Sequence, residues 1–131
     1  IRQRTPGSGE ANTLTVTLTA NYDMADGSTV TISGMTGSQT ANSTSLSVAS
    51  SNGDLGTTGV WTQGSGQLVL TAASGGTTAG TACEVTFNLT NAGSDQTSPA
   101  IGSLAVIDSG CVSTVANTVK ITFDKPNTYL L

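Results

Sequence analysis

Residues 82–89, Ala-Cys-Glu-Val-Thr-Phe-Asn-Leu, alternate strictly: Cys83, Val85, Phe87 and Leu89 take one parity, and Glu84, Thr86 and Asn88 the other. Successive side chains of a strand point to opposite faces, so this run has one dry face and one wet face. Thr13–Ala20 repeats the pattern, with Leu14, Val16 and Leu18 predicted inward and Thr13, Thr15, Thr17 and Thr19 outward. Threonine is β-branched and favours a pleated, half-buried surface.

Further strands are predicted at Ser28–Ser33, with Val30 and Ile32 inward, and at Ser45–Ala49, through Leu46 and Val48. Val60–Gln63 and Gln67–Ala72 are predicted to pair across Gly64-Ser65-Gly66, a short glycine-containing hairpin loop. Ala100–Asp108 is more continuously apolar, the pattern of a central strand covered on both sides. Cys111–Val115 and Thr118–Phe123 complete the set, while Gly34–Thr44 reads as a polar loop or weak edge strand. No stretch carries apolar residues at helical spacing over eleven or more positions. Short alternating strands with frequent turn signals predict an all-β fold, an antiparallel immunoglobulin-like β-sandwich. A chain of 131 residues fits one such domain. The organisation expected is an extended N-terminal arm over residues 1–11, the sandwich over 12–124, and a C-terminal tail over 125–131. The chain begins at Ile1 without Met or a signal peptide, as a processed protein or a piece of a longer one does.

Charged residues make up 9% of the chain, against about a quarter in an ordinary soluble domain. Hydroxyl residues (24 Thr, 16 Ser) therefore dominate the polar surface. The net charge of −4 argues against nucleic acid or anionic membrane as a partner, because both attract Lys and Arg. No apolar run approaches the roughly 18 residues that a spanning helix needs.

The two cysteines, Cys83 and Cys111, both fall in predicted strands. They are too few for a cysteine zinc site, and no His completes one. A disulfide between them would close a loop of about 29 residues and add about 3–4 kcal/mol on the chain-entropy model. Two buried free thiols are the alternative. Asn42-Ser43-Thr44 and Asn88-Leu89-Thr90 fit the N-glycosylation acceptor pattern, with Asn88 outward by parity and Asn42 in a polar loop. Disulfide and sequons together favour an extracellular, secreted or cell-surface location.

Catalytic chemistry finds little to work with. There is no His to serve as a triad base, and Glu10 and Glu84 are the only glutamates. No two carboxylates form a spaced pair on one predicted strand face. Asp23, Asp26 and Gly27 could begin a calcium site, but the alternating ligands of a calcium loop are missing, and a surface turn explains them better. Neither enzyme activity, a metal nor a cofactor is expected. Thr13, Thr15, Thr17 and Thr19 would set hydroxyls ~7 Å apart, twice the strand rise, a spacing that could meet ice or a regular polysaccharide. The roughly 20° twist per strand spoils a flat template, and solubility explains the same threonines. Trp61 and Tyr22 are too isolated for a sugar-stacking platform, and Trp61 is expected in the core or the hairpin packing.

TLTVTLTANYDMADGSTVTISGMTGSQTA and GVWTQGSGQLVLTAASGGTTAGTACEVTFNLTN resemble a β-sandwich module repeated in tandem in large, secreted, Thr/Ser/Gly-rich surface or fibre proteins of algae and other protists. STVTISGMTGSQT and TACEVTFNLTN are its most specific pieces, and the likeness spans roughly residues 11–108. It implies a structural, non-catalytic role in extracellular fibres, walls or coats, and brings no catalytic residues. One module standing alone implies subunits joined non-covalently. The expected function is thus a glycosylated filament or surface-layer subunit whose partners are copies of itself and attached glycans. Ile1, Arg2 and Arg4 of the arm and Tyr129, Leu130 and Leu131 of the tail would make contacts with neighbouring subunits, because an open sheet edge accepts an extended segment; two ordinary strand ends folded against their own domain are the alternative. A carbohydrate- or ice-binding module is the alternative.

Overall fold

The computed structural model describes residues 2–4, 7–20, 23–94, 104–107 and 119–122. The described residues contain no helix. They form nine strands: β1 (Arg2–Gln3), β2 (Ala11–Ala20), β3 (Thr29–Ile32), β4 (Ser43–Ser50), β5 (Thr58–Thr62), β6 (Gln67–Thr71), β7 (Ala82–Thr90), β8 (Leu104–Ile107) and β9 (Val119–Thr122). Every pairing is antiparallel, in the order β1-β2-β7-β4-β5-β6-β3-β8, with β9 also on β2. The six principal strands, β2 through β3 along that path, curl into a half-barrel.

The two alternating runs are paired with each other. Leu14 lies opposite Phe87, Val16 opposite Val85 and Leu18 opposite Cys83, so both dry faces turn the same way. A slip of one residue would send every one of these side chains to the solvent face, and burial therefore fixes the register. On the other half, Val30 and Ile32 of β3 face Leu70 and Leu68 of β6, while Trp61 of β5 also faces Leu68. The inward side chains of both halves join one core cluster.

Strand β4 joins the halves. Its C-terminal part, Val48–Ser50, pairs with Val85–Phe87 of β7. Its N-terminal part pairs with β5, through Leu46 opposite Gly59 and Ser47 opposite Thr58, with a register shift between Ser43 and Leu46. Such a bulge bends a strand and raises its local twist, which lets one strand serve both halves. Gly59 belongs to the same device. A Cβ there would stand 2.7 Å from Leu68 Cδ1, so only glycine lets β6 side chains cross over β5.

Loops fill the rest of the core. Met24, Met35 and Leu55, all in segments without strand alternation, are buried within the cluster. Met35 N donates to Gly66 O at 3.0 Å, and Gly66 takes φ 60° in the β5–β6 turn, close against the Met35 backbone. The arm contains a short strand of its own, β1. The apolar run around 104–107 lies at the end of the path, paired with β3 alone among the described residues. The predicted strand Cys111–Val115 and the tail from 125 onward lie outside the described residues.

Candidate functional site

The N-terminal arm lies along its own domain. Arg2 and Gln3 pair with Thr15 and Leu14 of β2, and Arg4 N donates to Thr13 O at 3.1 Å. Further along the same edge, β9 pairs with Thr17–Ala20. One strand edge thus takes two separate extended segments by main-chain pairing.

The arm then meets a buried polar clasp. Asn12 occupies a core parity on β2 and Asn91 follows the end of β7; both are fully enclosed. Asn12 Nδ2 donates to Asn91 Oδ1 at 3.0 Å, and Arg4 N donates to Asn12 Oδ1 at 3.1 Å. Asn91 Nδ2 donates to Gly7 O at 2.6 Å, while Gly9 N donates to Ala92 O at 2.7 Å and Asn91 N to Glu10 O at 2.9 Å. A buried amide without partners costs about 1–3 kcal/mol, so these bonds are what permits two asparagines there. Sequence reasoning missed this clasp. Its one signal was a polar residue, Asn12, at the inward parity of an otherwise apolar strand face.

The outer face of β2 and β7 carries the hydroxyl ladder. Thr13 Oγ1 donates to Asn88 Oδ1 at 2.8 Å, and Thr15 Oγ1 and Thr86 Oγ1 lie 3.2 Å apart. Asn88 is exposed, as its parity required. Asn42 is exposed too, and its Oδ1 accepts from Gln63 N at 2.8 Å. Beside Asn88, where β4 departs from β7 toward β5, a groove of about 320 Å³ opens against Thr13, Leu46–Ala49 and Thr86–Asn88.

Of the remaining candidates, Asp23 and Trp61 are bonded within the fold. Asp23 Oδ1 accepts from Ala79 N at 2.7 Å, tying the turn beside the Met24–Thr77 bridge. Trp61 is buried in the core, and its Nε1 donates to Thr40 O at 2.9 Å. Cys83 is buried, with Ser50 Oγ 3.3 Å from its Sγ; Cys111 lies outside the described residues. Of the residues assigned to assembly, Arg4 is exposed and the backbone of Arg2 is in β1; Ile1, Tyr129, Leu130 and Leu131 lie outside the described residues, as does Tyr22. Among the described residues no three His, Cys, Asp or Glu side chains gather to hold a metal.

Comparison of the chain with protein-family models, with curated proteins and with solved structures returns no match.

Proposed function

We propose that this chain is a non-catalytic, extracellular structural subunit that assembles with copies of itself into a filament or surface layer. The observation that carries the reading is the edge of β2, which accepts extended chain at Leu14–Thr15 and again at Thr17–Ala20. An edge that binds segments through main-chain bonds accepts an equivalent segment from another copy equally well. In an assembly the arm of one subunit would occupy the clasp of the next.

The charge-poor, hydroxyl-covered outer surface and the resemblance to tandem modules of algal and protist surface proteins support the same reading. Within it, the half-barrel is one part of an immunoglobulin-like sandwich whose closing strands include Cys111, disulfide-bonded to Cys83. Sugar at Asn42 and Asn88 completes the exterior. An ice- or polysaccharide-binding role is less well supported, because Thr13, Thr15 and Thr86 spend hydroxyl contacts on one another and on Asn88.

Electron microscopy of the purified full chain, beside a variant lacking residues 1–10, tests the proposal. Filaments or sheets are expected from the full chain only, with Trp61 fluorescence showing that the shortened chain is folded. Unchanged assembly without the arm would overturn the arm's role, and a full chain that stays monomeric at every concentration would overturn the subunit reading.

A further inference from the structure

The groove beside Asn88 has a definite structural origin. β7 runs on to Thr90, but β4 leaves it after the Val48–Phe87 pair. Its neighbour is restored only at Thr90, whose N donates to Thr40 Oγ1 at 2.7 Å and whose O accepts from Gln39 N at 3.0 Å and Ser38 Oγ at 2.8 Å. Between these two closures the outer face is split. Leu46, partly buried and packed against the core cluster, lines the opening.

Asn88 stands on the rim of this split with its amide already oriented. Thr13 holds Oδ1, and Nδ2 has no hydrogen bond among the described residues. From this geometry we infer that the split is the seat of the first sugar of an N-linked glycan on Asn88. The inference rests on the extracellular reading above, since the sugar must come from a secretory transferase. In that step a bond forms between Asn88 Nδ2 and C1 of an oligosaccharide carried on a polyprenyl diphosphate. The C1–O bond to the diphosphate breaks, the diphosphate leaves as an anion, and one amide proton passes to a base of the transferase.

The chemistry of the seat suits a pyranose, which has an apolar C–H face and a polar rim. Leu46 and Ala49 offer apolar surface, while Ser47 offers a hydroxyl at its margin. Small-molecule sites combine apolar walls with a few polar groups in about 300–1,000 Å³, and a groove of 320 Å³ is at the size of the smallest such ligands. Seated there, the sugar covers both the exposed part of Leu46 and the opened strand edge. Asn42 is not among the residues lining this groove, so it serves as the comparison.

The test is to secrete the full chain from a eukaryotic host, map both sequons by mass spectrometry, and follow release of each glycan by peptide-N-glycanase on the native protein. Asn88 is expected to be occupied and released at least tenfold more slowly than Asn42, with the difference gone after denaturation. Contacts between the Leu46 methyls and the first sugar are expected by NMR in the wild type, and loss of the sugar in Thr90→Ala, but not in Thr90→Ser, is expected to shift those methyls. Sugar at Asn42 with none at Asn88, or equal native release at both, overturns the seat and leaves the subunit reading standing. A secreted chain bare at both positions overturns the seat and the glycosylated exterior together.

Discussion

Asn12 and Asn91 lie 79 positions apart in the chain, yet their amides share a 3.0 Å hydrogen bond inside the protein. Through Arg4 N and Gly7 O the same pair holds the backbone of the arm. The clasp therefore links the start of β2, the end of β7 and the N-terminal segment in one buried network, and in such networks each member depends on the others.

Asn91→Ala is expected to destabilise the fold by about 1–3 kcal/mol, because it removes the buried bonds that Asn91 makes with Asn12 Nδ2 and Gly7 O. Amide exchange at Arg4 and Gly9 should accelerate far more than in β6. Denaturant unfolding with hydrogen exchange checks both. A uniform loss of protection would show that the clasp does not specifically hold the arm.

Gly59→Ala tests the crossing of β6 over β5. The added methyl would meet Leu68 Cδ1 at 2.7 Å and Leu70 Cδ2 at 3.1 Å. Overpacking of this kind costs about 1–3 kcal/mol, read as a lower midpoint in thermal unfolding. Gly64, with open space around its Cβ position, is the control and should tolerate alanine far better.

Trp61 is the chain's single tryptophan and is 1% exposed. Its fluorescence should be blue-shifted in the native protein and should move to the red in one transition on unfolding. Trp61→Phe keeps most of the apolar volume but abandons the bond to Thr40 O, for an expected loss of about 1–3 kcal/mol. Trp61→Ala adds a cavity and should cost about 3–5 kcal/mol.

The proposed Cys83–Cys111 bond predicts that intact mass rises by two hydrogens on reduction. Stability should then fall by about 3–4 kcal/mol on the chain-entropy model. Before reduction, no thiol should react with an alkylating agent even in denaturant. Two reactive thiols in the unfolded, unreduced chain would refute the bond.

Period-two alternation was enough to place the strands at the centre of this fold. In β2 and β7 it identified Leu14, Val16, Leu18, Val85, Phe87 and Leu89 as core and Asn88 as exposed, because a strand's two faces are written directly into the order of its residues. The β5–β6 hairpin was equally legible from its glycines. Tertiary structure alone decided which strands are neighbours, that β4 divides itself between two halves, and that Met24, Met35 and Leu55 reach the core from loops. These depend on contacts between residues far apart in the chain, which no local pattern records. The same holds for the Asn12–Asn91 clasp and for the groove at Asn88: each exists only where separate segments meet, so the sequence marked Asn88 by its sequon without the groove beside it and left the clasp unread.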